Sequence, residues 1–243
     1  MTIDFGKSAN DYHTYRPEFA PRLFSRLHAH GIGLPAQRIL DIGAGTGLLG
    51  RPLIAAGSSV IECDPSQLLL QKCKGHRIAA RAENLPFPAN SFDAVTAAQC
   101  WHWFDRTIAP PEIHRVLRPQ GRIAIIYQTY LPLPGNIAAA SEAIILRHRP
   151  GWRHAGGVGI NGQALKDLQT ARFTEIESFS FDVEIPYTRD AWQGFIRTCS
   201  AVGPSLSVDE LAHFDNDHAA ALQSWPETFT VPHRVFAAVA TRP

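Results

Sequence analysis

The chain has 243 residues, 45% of them apolar and 19% charged, with 23 basic against 22 acidic side chains and a formal charge of +1. A chain of this length buries around 70% of its unfolded surface, enough for one sizeable core, while the near-neutral balance without a run of like charges argues against nucleic-acid or anionic-membrane partners. Four cysteines, Cys63, Cys73, Cys100 and Cys199, lack zinc-ligand spacing, and neither a signal-type apolar run nor an 18-residue apolar stretch occurs, so the expectation is a cytoplasmic protein with reduced thiols and no metal.

In chain order, PEFAPRLFSRLHAHG reads as an amphipathic helix opened by Pro17 and Glu18 and closed by Gly31. From Arg38 to Thr129, short β-rich runs (RILDI, SSVIEC, HRIAA, FDAVTAA, GRIAIIYQT) alternate with helical stretches (LLGRPLIAA, SQLLLQKCK, APPEIHRVL). This alternation implies right-handed βαβ units and a parallel sheet covered on both faces. Pro52 is awkward inside its helix, because its ring would clash with the Leu48 carbonyl, so that helix should begin late or kink. After Thr129 come a loop (YLPLPGN), a helix (IAAASEAIILRH), the irregular Gly-rich RPGWRHAGGVGING, helical ALKDLQ, strand-like FTEIESFSFDVEI, helices RDAWQGFIRTCSAV and VDELAHFDNDHAAAL, and the terminal strand HRVFAAVAT. The predicted fold is α/β: a doubly wound, mostly parallel sheet with an antiparallel terminal strand and a helical cap. One domain spans 1–243, with the first helix in 1–35, a core at 36–130, and cap or lid insertions at 130–170 and 188–228.

The sharpest motif is Asp41-Ile42-Gly43-Ala44-Gly45-Thr46-Gly47, between a strand and a helix. Its glycines permit a tight turn and close approach to a ligand. The overlapping GTGLLG also satisfies GxGxxG, so the loop alone admits either a nicotinamide dinucleotide or another adenosine ligand. Asp41 would gain little beside a pyrophosphate and favours a ligand carrying an ammonium group. Asp64 ends the next strand, where a carboxylate can accept both ribose hydroxyls of either ligand.

RILDIGAGTG, VIECDPSQLLL, AENLPFPANSFDAV and EIHRVLRPQGRIAII, in this order over residues 36–130, resemble the class I S-adenosylmethionine-dependent methyltransferases. The resemblance implies a Rossmann-like fold with S-adenosyl-L-methionine as cofactor. It places the methionine end against Asp41, Gly43, Ala44, Gly45 and Gly47, the ribose on Asp64 beside Pro65, and the adenine near Ala82 and Glu83, with Gln99 also at the cofactor. DYHTYRPEF and AQCWHWFD are similar to the small-molecule type 11 branch that includes trans-aconitate and ubiquinone/menaquinone methyltransferases. That likeness implies a flap in which Tyr15 and Arg16 meet the cofactor carboxylate and Tyr12 faces the acceptor. One departure is Arg81, where many relatives carry an Asp that accepts from the adenine amino group. Arginine cannot accept, which leaves Glu83, a backbone carbonyl, or an Arg81 turned to solvent.

Gln99-Cys100-Trp101-His102-Trp103-Phe104 follows the fourth strand, at the edge where open α/β sheets bind ligands. Trp101 and Trp103 are candidates to wall an acceptor pocket, with Trp152, Trp192 and Arg197 as further acceptor-side candidates from the cap. His102 is the candidate catalytic residue, as a proton acceptor or an orienting group. Methyl transfer from a sulfonium needs positioning more than a catalytic triad, so the expected partner is a small methyl acceptor, planar or carboxylate-bearing, methylated on oxygen or nitrogen by a monomer or weak homodimer. A non-catalytic sensor of the same ligand and a nicotinamide-dependent oxidoreductase are the rival readings.

Overall fold

The computed structural model describes Gly6 and residues 9–243. Residues 1–5, 7 and 8, part of the expected flap, lie outside the described residues. The elements in chain order are α1 (Ala9–Tyr15), α2 (Pro21–Ala29), β1 (Arg38–Ile42), α3 (Gly50–Ala55), β2 (Ser59–Cys63), α4 (Gln67–Leu70), β3 (His76–Ile78), β4 (Phe92–Ala98), a 3-10 turn at Trp101–Trp103, α5 (Ala109–Val116), β5 (Leu117–Tyr130), α6 (Ile137–His148), α7 (Gly162–Thr170), β6 (Thr174–Thr188), α8 (Arg189–Arg197), α9 (Val208–Leu222) and β7 (Thr228–Thr241).

Proline decides two helix starts. The helix expected from Pro17 begins instead at Pro21, because an earlier start would drive the Pro21 ring into the carbonyl four residues back, whereas at the first helical position its missing N–H costs nothing. Likewise α3 starts only at Gly50, which keeps Pro52 within the first turn, as its ring requires.

The seven strands are ordered β3-β2-β1-β4-β5-β7-β6, with β3, β2, β1, β4 and β5 all parallel. Gln120 N–H donates to Arg242 O and Arg242 N–H to Gly121 O, the reciprocal pattern that sets β7 antiparallel to β5. The order reverses between β1 and β4, so their carboxyl ends open the crevice in which such sheets bind ligands.

The chain divides into two compact units, one of Thr129–Gly159, Asp182–Arg234 and the residues up to Pro17, the other of Glu18–Gln128, Ile160–Phe181 and Val235–Pro243. The second, hereafter the sheet unit, packs Leu40, Val95, Ile113, Ile125 and Phe236 around fully buried Trp101. The first has its own core of Tyr130, Trp192, Phe195, Phe214 and Val231. Full burial of each such apolar side chain stabilises by roughly 1.5–3 kcal/mol. Helix α7, read from sequence with the insertion after Thr129, belongs to the sheet unit, where its Asp167 accepts from the Trp101 indole N–H at 2.8 Å.

Candidate cofactor and acceptor site

Strand register assembles the site. Asp41 of β1 lies beside Glu62 of β2 and Thr96 of β4, and in-register neighbours of a parallel sheet point to the same face. All three are buried, as is Asp64, two residues beyond Glu62. The Thr96 hydroxyl donates to Asp41 Oδ1 at 2.7 Å. Glu62 Oε2 accepts from Gly75 N–H at 2.7 Å, and Asp64 accepts from Gly45 N–H at 3.0 Å and Ser66 N–H at 2.8 Å. Among the described residues no basic side chain forms an ion pair with any of the three carboxylates.

Burial pushes the Asp41 carboxyl up to about 7; the Thr96 hydrogen bond opposes the rise and the charges of Glu62 and Asp64 add to it. Burial also raises Asp64, against the lowering pull of its two backbone donors. Asp41 Oδ2 and Thr46 Oγ1 are buried without a hydrogen-bond partner. Each such orphan costs about 1–3 kcal/mol, so the loop is incomplete as it stands and asks for a donor, preferably a cationic one.

The glycine loop turns through Gly43 and Gly47, whose φ angles of +64° and +76° glycine adopts without the cost other residues bear. A Cβ at Gly43 would lie 2.6 Å from Cys100 Cβ, and one at Gly47 would strike Glu62 Oε1. The missing side chains therefore let the loop lie directly against Cys100 and Glu62. Cys100 donates its S–H to Ile42 O at 3.1 Å, and burial raises its thiol well above the ordinary range, so it is no nucleophile. Gln99, at the end of β4, adopts φ +62°, a left-handed conformation a non-glycine residue adopts at a cost and one that recurs at ligand sites. Its side chain donates to Gln128 O, while the Gln128 amide clamps Ala20 N–H and Glu18 O, each at 2.9 Å.

Comparison with known proteins agrees with this geometry. Residues 40–125 match the family model described as a methyltransferase domain. Over 134 residues the chain is 37% identical to an uncharacterized methyltransferase of Mycobacterium tuberculosis, covering 53% of this chain and 54% of that protein. The chain thus spans about half the length of the curated relatives it matches. A candidate type II methyltransferase from Anaeromyxobacter dehalogenans is 26% identical with a TM-score of 0.57, covering 93% of this chain and 96% of that one. A phosphoethanolamine N-methyltransferase of Haemonchus contortus, solved with phosphomonomethylethanolamine and S-adenosylhomocysteine, shares the fold at 18% identity and a TM-score of 0.59, over 99% of this chain and 60% of that one. Residues 40–125 thus form a methyltransferase domain of the class I, S-adenosylmethionine-dependent kind.

Within this methyltransferase domain the structure gathers Asp41, Gly43, Ala44, Gly45, Gly47, Asp64 and the exposed Pro65 around one loop, where Ala44 N–H donates to Cys63 O at 3.1 Å. Ala82 is buried in the sheet unit's core. Arg81 turns to solvent with its side chain 73% exposed, 3.4 Å from Glu83. Glu83 is itself engaged, since its Oε1 accepts from Asp105 N–H at 2.9 Å. Of the aromatic run, His102 and Trp103 are exposed, their ring centroids 4.5 Å apart.

Two tryptophans depart from expectation. Trp101, expected to wall an acceptor pocket, is 1% exposed with its indole N–H held by Asp167, and it packs as a core residue. Trp192 is fully buried in the other unit, where its N–H donates to Ser141 Oγ at 2.9 Å and its ring meets Tyr130, Tyr187 and Phe195. A satisfied N–H inside an aromatic cluster leaves neither ring a face for a ligand. In the same unit the Arg197 guanidinium pairs with Asp215 at 2.8 Å. Trp152 lies partly buried in that core, its indole N–H enclosed without a partner. Arg16 donates to Thr198 O at 3.3 Å and lies 4.9 Å from the ring centroids of Tyr12 and Phe195, while Tyr15 fills the space left by Gly194.

Two contributors were not read from sequence, Glu62 and Thr96. Glu62 was legible in principle, since its two-residue spacing from Asp64 places both on one face. Thr96 acts through strand register. Among the described residues no group of three or more His, Cys, Asp or Glu could hold a metal, and no helix is long and apolar enough to cross a membrane.

Proposed function

We propose that this chain transfers the methyl group of S-adenosylmethionine to an oxygen or nitrogen of a small metabolite, planar or carboxylate-bearing. The observation that carries the reading is the set of buried carboxylates, Asp41, Glu62 and Asp64, around the glycine loop with no basic partner. A dinucleotide pyrophosphate would be repelled there, whereas a ligand with an ammonium group and a sulfonium supplies the missing positive charge. Asp41 and the unpaired Thr46 hydroxyl would receive the methionine end. Asp64, each oxygen of which still has a lone pair after its backbone bond, would accept the ribose hydroxyls.

The bound donor supplies an activated methyl group. The protein's part is to hold it, align an acceptor lone pair and exclude water. On this reading exposed His102 and Trp103 meet the acceptor, Gln99 and Glu83 complete the cofactor contacts, and Arg16 with Tyr15 serves a flap within residues 1–35. The cap read at 130–170 and 188–228, without helix α7, contributes Trp152 and Arg197, which recognise the acceptor together with Tyr12 of the flap. The type 11 small-molecule branch, a cytoplasmic location, a monomer or weak homodimer, and the absence of a nucleic-acid partner belong to the same reading, supported by the DYHTYRP and HWF segments and the net charge of +1.

Calorimetric titration tests the donor: S-adenosylmethionine and S-adenosylhomocysteine should bind and NADH should not. Binding of NADH alone would favour an oxidoreductase. Donor binding without label transfer from methyl-labelled S-adenosylmethionine to any component of a metabolite extract would favour a sensor.

A further inference from the structure

The three enclosed carboxylates are unequally provided with hydrogen-bond donors. Asp64 accepts at both oxygens, from Gly45 N–H and Ser66 N–H. Glu62 accepts from Gly75 N–H at Oε2, and the glycines at 47 and 50 stand against its Oε1, so no ligand group fits there. Asp41, 1% exposed, accepts only from the Thr96 hydroxyl at Oδ1, and its Oδ2 is enclosed with no partner. The fully buried Thr46 hydroxyl of the same loop is unpartnered too. The titratable groups within electrostatic reach of Asp41 are acids and thiols: Glu62 and Cys63 from β2, Asp64 after it, Cys73 after α4 and Cys100 after β4. Burial raises all three thiols, Cys63 to about 12, so they are uncharged at neutral pH. Among the described residues no basic side chain forms an ion pair with Asp41. An enclosed carboxylate keeps its charge where donors meet its oxygens and loses it where they do not. An unpaired buried charge also costs far more than one unspent O–H.

We infer that Asp41 is a neutral carboxylic acid in the empty protein and gives its proton to solvent when an ammonium group arrives at Oδ2, so that it makes the loop specific for ligands with a charged amine. The inference rests on the methyl-transfer reading above and adds to it a proton which that reading does not require. One O–H bond of Asp41 breaks, the proton passes to solvent, and an ammonium N–H donates to the oxygen it left. The carboxylate charge is thus created only where a cation offsets it, and a ligand without the amine finds Asp41 still neutral. Burial supports the exchange, because it brings the carboxyl up to about 7, within the ordinary pH range. Ribose hydroxyls meeting Asp64 bring no positive charge and should exchange no proton.

Calorimetry reads the exchange directly. S-adenosylhomocysteine, which carries the amine without the sulfonium, is titrated near pH 6 in buffers of unlike ionisation enthalpy. The dependence of the observed heat on the buffer should report about one proton released per ligand bound, and the affinity should rise roughly tenfold from about pH 5.5 to pH 7. 5′-Methylthioadenosine has the adenine, ribose and thioether but no amino-acid end, so any binding it shows should release no proton and stay flat with pH. Asp41→Asn keeps the neutral shape, and should bind S-adenosylhomocysteine more weakly, without proton release. Glu62→Gln should still release the proton. Should either variant fail to fold, the two ligands on the wild-type protein decide alone. The inference is overturned if S-adenosylhomocysteine binds with the same heat in every buffer and a flat affinity. It is overturned equally if 5′-methylthioadenosine releases the same proton, which would put the titrating acid at the ribose, or if the proton disappears in Glu62→Gln and persists in Asp41→Asn. Should S-adenosylhomocysteine fail to bind at any pH, the methyl-transfer reading itself fails.

Discussion

Both units bury titratable groups, and they treat them in different ways. In the sheet unit Asp41 and Asp64 are enclosed beside a third carboxylate without a basic partner, and burial raises the pKa of both. In the other unit burial likewise raises a single enclosed carboxyl, Glu142, which accepts from Gly156 N–H at 2.7 Å, but two imidazoles go the opposite way. Burial lowers His218 and His233 each to about 4, so they are neutral at ordinary pH. His218 Nε2 meets Ser141 Oγ at 2.9 Å, and His233 Nδ1 lies 3.0 Å from Val231 O. A neutral ring fits packing even where, as at His218 Nδ1, one nitrogen is enclosed without a partner, whereas several carboxylates enclosed together lower stability and persist where a ligand makes up the difference.

The largest expected effect comes from forcing the glycine loop away from Glu62. In Gly47→Ala the new Cβ strikes Glu62 Oε1 at a φ of +76°, adding about 1–2 kcal/mol of left-handed strain to about 1–3 kcal/mol of overpacking. S-adenosylmethionine binding by calorimetry should be lost. Gly194→Ala, whose Cβ would meet the Tyr15 ring in the other unit, should lower Tm without altering how the sheet unit responds to pH. If both variants bind the donor normally, the glycine loop is not where it binds.

The pH response should differ in sign between the carboxylates around the glycine loop and the two buried imidazoles. Asp41 has a folded value of about 7 against the ordinary carboxyl value of 3.8. The folded state therefore holds the proton more tightly, and this group's contribution is complete below about pH 4 and lost as pH rises through about 7, up to a few kcal/mol in all. His218 and His233 lie near 4 in the fold against 6.5, so their contribution is present above about pH 6.5 and lost as pH falls toward 4. Hydrogen exchange resolved by peptide at pH 5 and pH 8 should show the β1–β2 segment better protected at pH 5 and the α9 segment better protected at pH 8. Asp41→Asn should flatten the first trend only. Parallel trends in both segments would dissolve the contrast.

A narrower test sets two neighbours on β2 against each other. Asp64→Ala should weaken S-adenosylmethionine binding by at least about 2 kcal/mol, since two charge-assisted ribose hydrogen bonds go together, while Cys63→Ala, on the opposite face, should do far less. Because Asp64 also holds Gly45 and Ser66, comparable losses from both would mean that the acid only shapes the loop.

The sheet unit was largely legible because mostly buried parallel strands leave near-continuous apolar runs such as RILDI and FDAVTAA, and because a strand, a glycine loop and a helix in succession admit few geometries. Less legible was whatever a distant residue decides. Trp101 and Trp103 are alike in type and two positions apart, yet one is core and the other is exposed, because Asp167, 66 residues beyond Trp101, takes up the first indole N–H. Local periodicity carries no record of that bond. The late start of α2 was legible, since Pro21 forbids an earlier one, but the amphipathic pattern from Pro17 onward outweighed it.

The smallest expected effect concerns Arg81, the clearest departure from the family pattern. Its guanidinium is largely exposed and its pairing with Glu83 is long, at 3.4 Å. Exposed pairs of this kind contribute about 0–1 kcal/mol. Glu83, by contrast, accepts from the Asp105 main-chain N–H, tying the segment before Asn84 to the loop after the aromatic run. Arg81→Ala should therefore leave donor affinity within about twofold of wild type, a difference near 0.4 kcal/mol, whereas Glu83→Ala releases that tie and should cost more. Calorimetry on both variants with S-adenosylhomocysteine is the check. A tenfold loss in Arg81→Ala would bring the arginine into contact with the adenine, and would move this part of the sheet unit from solvent-facing surface to binding wall. Equal, negligible losses in both would leave adenine recognition to backbone carbonyls alone.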